Sequence, residues 1–288
     1  MRVLHFGFSL LTVSLLACGI NKSTKLNQTT DISIANEVLP LVEKPCFEGA
    51  YYRKLVSSHD HWLGIEGTVV LPRIEFDPQR VHTKKSGQYL DNPSIYLGGS
   101  MGNQETDIGM AWEVVREENG QVSKERKAFR PFLRRTGHES GQLAVFENAP
   151  ADKAYYWYPG EEIKMSLVLV ADKKVRFVVE GAGKKFEKEF ACDGYLLNTI
   201  GEFKRVNAID QVGNEGKPVQ ATKTKVINAE WKSTNLYRMI EGKLTLVPFK
   251  RTRYTEMMCP AGKYFEVNAS KTQLSAGAES LSISGAGF

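Results

Sequence analysis

Outside its first 17 residues the sequence has no stretch with a convincing 3.6-residue apolar periodicity. That absence sets aside helical bundles and the strand–helix alternation of α/β folds. There is no internal repeat, which excludes solenoids and propellers. Charge of one sign is not in large excess either: 38 basic residues face 33 acidic ones, a net charge of +5. A balance so mild and evenly spread argues against nucleic acid as a partner. Cysteine and histidine are scarce, at four and five residues. No two cysteines have metal-ligand spacing, no Ser-His-Asp order comes with an elbow motif, and no cysteine–histidine pair has local support. Nothing here asks for a cofactor.

The N-terminus is more informative. MRVLHFGFSLLTVSLLAC sets Arg2 before an apolar run at residues 3–16, ends on Ala17, and then presents Cys18. A run this short with a basic flank is a signal peptide and not a membrane span. With the cysteine directly after it, the segment resembles a bacterial lipoprotein signal with its lipobox. The resemblance implies removal of residues 1–17 and acylation at Cys18, so that the membrane is a partner through lipid. Several acyl chains, at about 0.8 kcal/mol per methylene, anchor a protein stably. Gly19 is not the aspartate that retains such proteins in the inner membrane. The expected location is the bacterial cell envelope, at the outer membrane in a Gram-negative cell. Lipidation leaves Cys46, Cys192 and Cys259, and a disulfide is permitted outside the cytoplasm. A Cys46–Cys259 bridge would clamp the ends of the folded region, with Cys192 the buried spare; the pairing stays open.

Residues 18–45 are polar at first and are expected to form a tether, although the more apolar ISIANEVLPLVEK at its end could dock on the domain. Residues 46–260 alternate short β-branched or alternating runs with turn residues: HWLGIEGTVVLP, PSIYLGG, ETDIGMAWEVV, EIKMSLVLVA, KVRFVVEGAG, KKFEKEFAC, TKTKVINAEW and KLTLVPF. These predict strands, and Gly102-Asn103, Asn119-Gly120, Pro159-Gly160 and residues 171–174 predict turns. The fold expected is all-β, an antiparallel β-sandwich of the jelly-roll, concanavalin-A-like kind. Residues 261–288, small and polar, are expected to be a loosely ordered tail in which LSIS could add an edge strand.

Within ETDIGMAWEVV alternation puts Thr106, Ile108, Met110 and Trp112 on a core face, and Glu105, Asp107, Gly109, Ala111 and Glu113 on the other. Glu105 and Asp107 lie about 6.5–7 Å apart on that face, a spacing at which carboxylates share acid/base work. Glu113 is roughly 20 Å further along and belongs elsewhere. Glycine and alanine between the acids make the face shallow, as a polymer-binding cleft requires.

The order WLGIEGTVVLP, IYLGG, TDIGMAWE, YYWYPGEEIKMSLVLV and KKFEKEFAC is similar to the concanavalin-A-like lectin/glucanase sandwiches, and within them it looks most like the glutamic peptidases (eqolisins). The likeness spans residues 60–231. Laminarinase-like glucanases carry a Glu-x-Asp-x-(x)-Glu strand; Glu105-Thr106-Asp107 matches its first half, but Gly109 and Met110 stand where the second glutamate belongs. A retaining glycosidase needs two carboxyl groups about 5–5.5 Å apart. In the peptidases a glutamine in a Gln-Thr-Gly-Val strand works with a later glutamate. Aligned on Gly109, the glutamine's place is taken by Asp107, with Gln104 near but out of phase. The glutamate falls at Glu230, in Ala229-Glu230-Trp231, or at Glu202. The peptidase reading requires Asp107 to replace the neutral amide of the oxyanion site.

Three further stretches are candidates. AYYWYPG at residues 154–160 places Tyr155 and Trp157 on one face and Tyr156 and Tyr158 on the other, and one pair could stack against sugar rings. His59-Asp60-His61 offers two imidazoles but no evident third ligand, so no metal is assigned. KERKAFRPFLRR, residues 124–135, is the one dense basic run, either attracted to anionic headgroups or a charged edge that discourages strand pairing. The expectation is therefore a monomeric, lipid-anchored envelope sandwich that binds a polysaccharide or peptide, first of all glycan without catalysis. The alternatives are a hydrolase with Asp107, Glu105 and Glu230 as its carboxylates, and a structural or protein-interaction lipoprotein.

Overall fold

The computed structural model describes residues 32–84, 87–113, 121 and 128–288. The leader, Cys18, the first part of the tether, the Asn119-Gly120 turn and residues 124–127 of the basic run lie outside the described residues. The strands are β1 (Ala50–Ser57), β2 (Trp62–Val70), β3 (Arg73–Glu75), β4 (Asp91–Met101), β5 (Gln104–Glu113), β6 (Ala128–Arg135), β7 (Val145–Asn148) and β8 (Glu162–Ala171). They continue with β9 (Lys174–Gly181), β10 (Lys184–Ala191), β11 (Gly201–Gln211), β12 (Lys225–Ile240), β13 (Lys243–Pro248), β14 (Tyr254–Cys259), β15 (Phe265–Asn268) and β16 (Glu279–Ser284). One short helix, α1 (Lys271–Ser275), starts on a Ser270 capping box.

The strands form two antiparallel sheets. A seven-stranded sheet runs β14-β1-β11-β4-β5-β6-β7; a nine-stranded one runs β10-β9-β8-β2-β12-β16-β15, with β3 and β13 also on β12. Tight turns give the hairpins their register. β4 and β5 are joined by Gly102 (φ 52°) and Asn103 (φ 58°), the paired left-handed residues of a type I′ turn. Period-2 apolar patterning supplies the core: Ile95, Leu97, Ile108, Met110 and Phe203 of the first sheet share one buried cluster with Ile163, Met165, Leu167, Phe177 and Trp231 of the second. Each such side chain stabilises the fold by about 1.5–3 kcal/mol on burial. The antiparallel sandwich expected from the sequence is the architecture found.

The C-terminus corrects the expectation of a loose tail. β16 lies between β12 and β15, not at an edge, and Leu281 and Ile283 are fully buried. Glu279 on β16 reaches across the sandwich to the buried guanidiniums of Arg53 on β1 and Arg205 on β11. The two arginines are 3% and 2% exposed, so this strand carries the only carboxylate that neutralises Arg205 among the described residues. At the other end, residues 32–45 lie on the domain: Arg253 Nη2 donates to the Ile32 carbonyl (2.7 Å) and to Glu37 (2.9 Å), and Asp60 accepts from the Val38 amide (3.1 Å). Cys46 and Cys259 form a disulfide across a separation of 213 residues, and Cys192 is free and buried.

Candidate functional site

The face of the seven-stranded sheet that points away from the sandwich core carries a row of charged residues beside an apolar cluster that includes Tyr96, Phe132 and Val206. Antiparallel register aligns Lys204 with Gly98, Gly98 with Asp107, and Asp107 with Arg134, a row across β11, β4, β5 and β6. Gly98 is what lets the row interact. A Cβ there would stand 2.6 Å from Asp107 Oδ1 and 2.7 Å from Lys204 Cε, so only glycine leaves the lysine a path over β4. Lys204 Nζ ion-pairs with Asp107 Oδ1 at 2.7 Å and with Glu105 Oε1. The sequence brought Glu105 and Asp107 together correctly, and the fold inserts a buried cation between them.

That cation decides the protonation of Glu105. Burial pushes Glu105 up, but the charge and hydrogen bond of Lys204 outweigh it and hold the carboxyl below its ordinary value. Burial disfavours the charged lysine, and Asp107 and Glu105 more than restore it, raising Lys204. Lys54 on β1 has no ion-pair partner among the described residues; burial, helped by the repulsion of Lys204, brings it down to about 8.

Next to this row is an open cleft of about 540 Å³, whose lining includes Asp107, Ala111, Tyr96, Phe132, Arg134, Asp210 and Phe47. Tyr96 packs edge-on against Phe132 (5.8 Å between centroids). Phe47, beside the disulfide, stacks on Tyr52 (4.0 Å) and forms an end wall. Arg134 lies over the Phe132 and Phe146 rings and spends its donors on Leu133 and Glu147 carbonyls and on Asn148. Asp210 accepts from Ser94 Oγ at 2.6 Å. Its burial, against that hydrogen bond and with the Asp107 charge adding, pushes it up to about 6.

Other residues singled out in the sequence go elsewhere. Glu230 is on β12 of the opposite sheet, where it ion-pairs with Lys232 at 2.6 Å. It alternates with the buried Ala229 and Trp231, so it faces outward on the far side of the sandwich and cannot pair with Asp107. Glu202 does share the Asp107 face, in register with Ser100 and so with Glu105. It is occupied by Lys44 and by His59 Nε2 at 2.9 Å. Gln104 is fully buried, binding Thr136, Gln142, Gly194 and the Cys192 thiol.

The aromatic run is not a sugar platform on this face. Lys153–Tyr155 is a 3₁₀ turn, so strand alternation fails there. Trp157 is fully buried, its indole donating to the Gly181 carbonyl, and Tyr156 is 3% exposed. Tyr155 packs on Phe186, and Tyr158 lies under Lys184. Of the basic run, Arg130 pairs with Glu113 at 2.8 Å and Arg135 is buried on the Ala191 and Leu143 carbonyls.

Lys204, Asp210 and Tyr96 are the residues that sequence reasoning missed. Tyr96 lies on β4, whereas Lys204 and Asp210 lie on β11, which alternates Phe203, Arg205, Asn207 and Ile209 with Lys204, Val206, Ala208 and Asp210. Both faces mix polar with apolar residues, because Arg205 and Asn207 are buried inward on Glu279 and Trp231. The contrast that marks an ordinary strand is absent.

No family model and no curated protein matches the chain. Solved structures that it is similar to include scytalido-glutamic peptidase with a transition state analog inhibitor, at a TM-score of 0.49 and 13% identity, covering 82% of this chain and 98% of that one. The alginate lyase from Klebsiella pneumoniae matches at a TM-score of 0.34 and 10% identity over 54% of each chain. A Bacteroides ovatus mixed-linkage glucan GH16 protein matches at 0.33 and 12% identity, covering 64% of this chain and 79% of that one. The structures it is similar to thus include the glutamic-peptidase and glucanase sandwiches that the sequence resembles. At such identities they carry no residue role to this chain.

Proposed function

We propose that this chain is a lipid-anchored envelope protein that holds an extended glycan in the cleft on the outer face of its seven-stranded sheet, without cleaving it. The observation that carries the reading is Lys204. Acid/base hydrolysis by a carboxylate pair requires one member to hold a proton, and the lysine between Glu105 and Asp107 keeps Glu105 ionised. Glu202, the remaining acid on that end of the face, is taken by Lys44 and His59. The cleft floor favours a ligand read by side chains. Strands β11, β4 and β5 are each paired on both sides, so they offer no free backbone to an extended peptide of the strand-adding kind. Hydroxyls, carboxylates and ring edges from Ser94, Tyr96, Asp210 and Phe132 suit a sugar chain. Lipidation at Cys18 rests on the lipobox.

The test is a glycan array probed with the full chain carrying Cys18→Ser, run beside casein digestion at pH 3–4. Capture of defined glycans with intact casein is expected. A flat array with digested casein overturns binding in favour of an acid peptidase, and a flat array with intact casein leaves the protein-interaction reading.

A further inference from the structure

The cleft is chemically lopsided. At the end near β6 its one lining cation, Arg134, is held by the Leu133, Glu147 and Asn148 oxygens. At the other end Glu48, Asp210 and Glu215 line the wall, and none of them forms an ion pair among the described residues. Asp210 uses Oδ2 on Ser94, and its Oδ1 has no partner among the described residues. Between the two ends stands Tyr96, whose side chain is 9% exposed and lines the cleft. Its hydroxyl has no hydrogen-bond partner among the described residues and is not among their sealed-off polar atoms, so it is open to a ligand in the cleft. The negative charges of Asp107, Asp210 and Glu105 all reach this phenol.

A carboxylate with a free oxygen and an unpartnered hydroxyl on one wall converge on the same need, a compact cation carrying several N–H donors. An ammonium donates one hydrogen bond to Asp210 and one to the Tyr96 hydroxyl. Resting on the glycan reading above, we propose that the Asp210 end of the cleft is a subsite for a positively charged sugar, a hexosamine whose 2-amino group is not acetylated. A neutral sugar would leave the carboxylate wall desolvated without compensation. A basic peptide could supply the same charge, but the fully paired floor strands give its backbone nothing to bind.

The experiment is calorimetric titration of the full chain carrying Cys18→Ser with β-1,4-glucosamine tetramer, its fully N-acetylated counterpart and tetralysine, at pH 7. The free-amine tetramer is expected to bind at least tenfold more tightly than the acetylated one. In Asp210→Asn, which retains the shape and the Ser94 contact, that ratio is expected to collapse towards one, with Tyr96→Phe lowering it severalfold. Unfolding midpoints establish that the variants are folded. Equal affinity for the two tetramers overturns the subsite and leaves glycan binding standing. Binding of tetralysine alone overturns the sugar assignment. Silence of both tetramers together with a flat glycan array overturns subsite and reading alike.

Discussion

Replacing Lys204 by methionine keeps most of the stem's volume and removes only the charge that holds Glu105 and Asp107 together. Removing one member of a fully buried ion pair costs about 3–5 kcal/mol. Here Lys204 is 8% exposed but Glu105 and Asp107 are 48% and 29% exposed. Water re-solvates the abandoned carboxylates in part, and the expected loss is roughly 1–3 kcal/mol. For a chain of this size that lowers the melting midpoint by roughly 2–10 °C. The pH dependence separates charge from packing. Glu105 sits below its ordinary value when folded, so it contributes stability above the unfolded value of about 4.3 and loses it as pH falls. Lys204 is raised, so its contribution persists until pH climbs past about 10.4. The difference between Lys204→Met and wild type should be full at pH 6–8 and shrink below about pH 4. Urea unfolding from pH 3 to 8 measures it. An equal loss at pH 3 and pH 7 would refute the ion-pair account.

The opposite sign is expected at Asp210. Its folded value of about 6 lies above the ordinary 3.8, so the fold is weakened as pH rises through that window; Asp210→Asn should be stabilising above pH 6, by about 3 kcal/mol, and neutral below pH 4 in the same urea series. Glu279→Ala leaves buried Arg205 without a carboxylate and Arg53 with Glu256 alone, and an unfolding loss of about 3–5 kcal/mol is expected; chains ending at residue 260 should fail to fold, as read by circular dichroism. Cys46→Ser with Cys259→Ser opens a 213-residue loop, which chain entropy values at about 5 kcal/mol; thermal unfolding should drop accordingly, and glycan affinity should fall with it as the Phe47 wall loosens. Trp157→Ala should lower stability by about 3–5 kcal/mol while leaving array specificity unaltered in the folded fraction.

The sandwich was legible because most strands alternate cleanly and are punctuated by turn residues. The β8–β9 hairpin shows it: Ile163, Met165, Leu167 and Leu169 face Val175, Phe177 and Val179 in the core. The inward face of β5 was equally legible, and so was the pairing of Glu105 with Asp107. Their neutralisation was not. It depends on β4 and β11 lying side by side with Gly98 between Lys204 and Asp107, a long-range register that no local pattern encodes. Glu230 went astray for the same reason, since phase along a strand fixes the side of a sheet but not which sheet. The AYYWYPG run misled because a 3₁₀ turn interrupts the alternation assumed for it. The C-terminal segment, rich in small polar residues, gave no sign that Glu279 completes a buried charge triad.

The central claim is that the outer-face cleft holds a glycan that it does not cut. Its most direct test is the mass profile of an array-selected oligosaccharide after prolonged incubation with the full chain carrying Cys18→Ser, across pH 3–8. The account predicts that the oligosaccharide is recovered at full length at every pH, and that Ala111→Trp, which fills the cleft, no longer captures it. A ladder of shorter products, strongest below about pH 6 where Asp210 takes up a proton, would contradict it and make the cleft a hydrolase site.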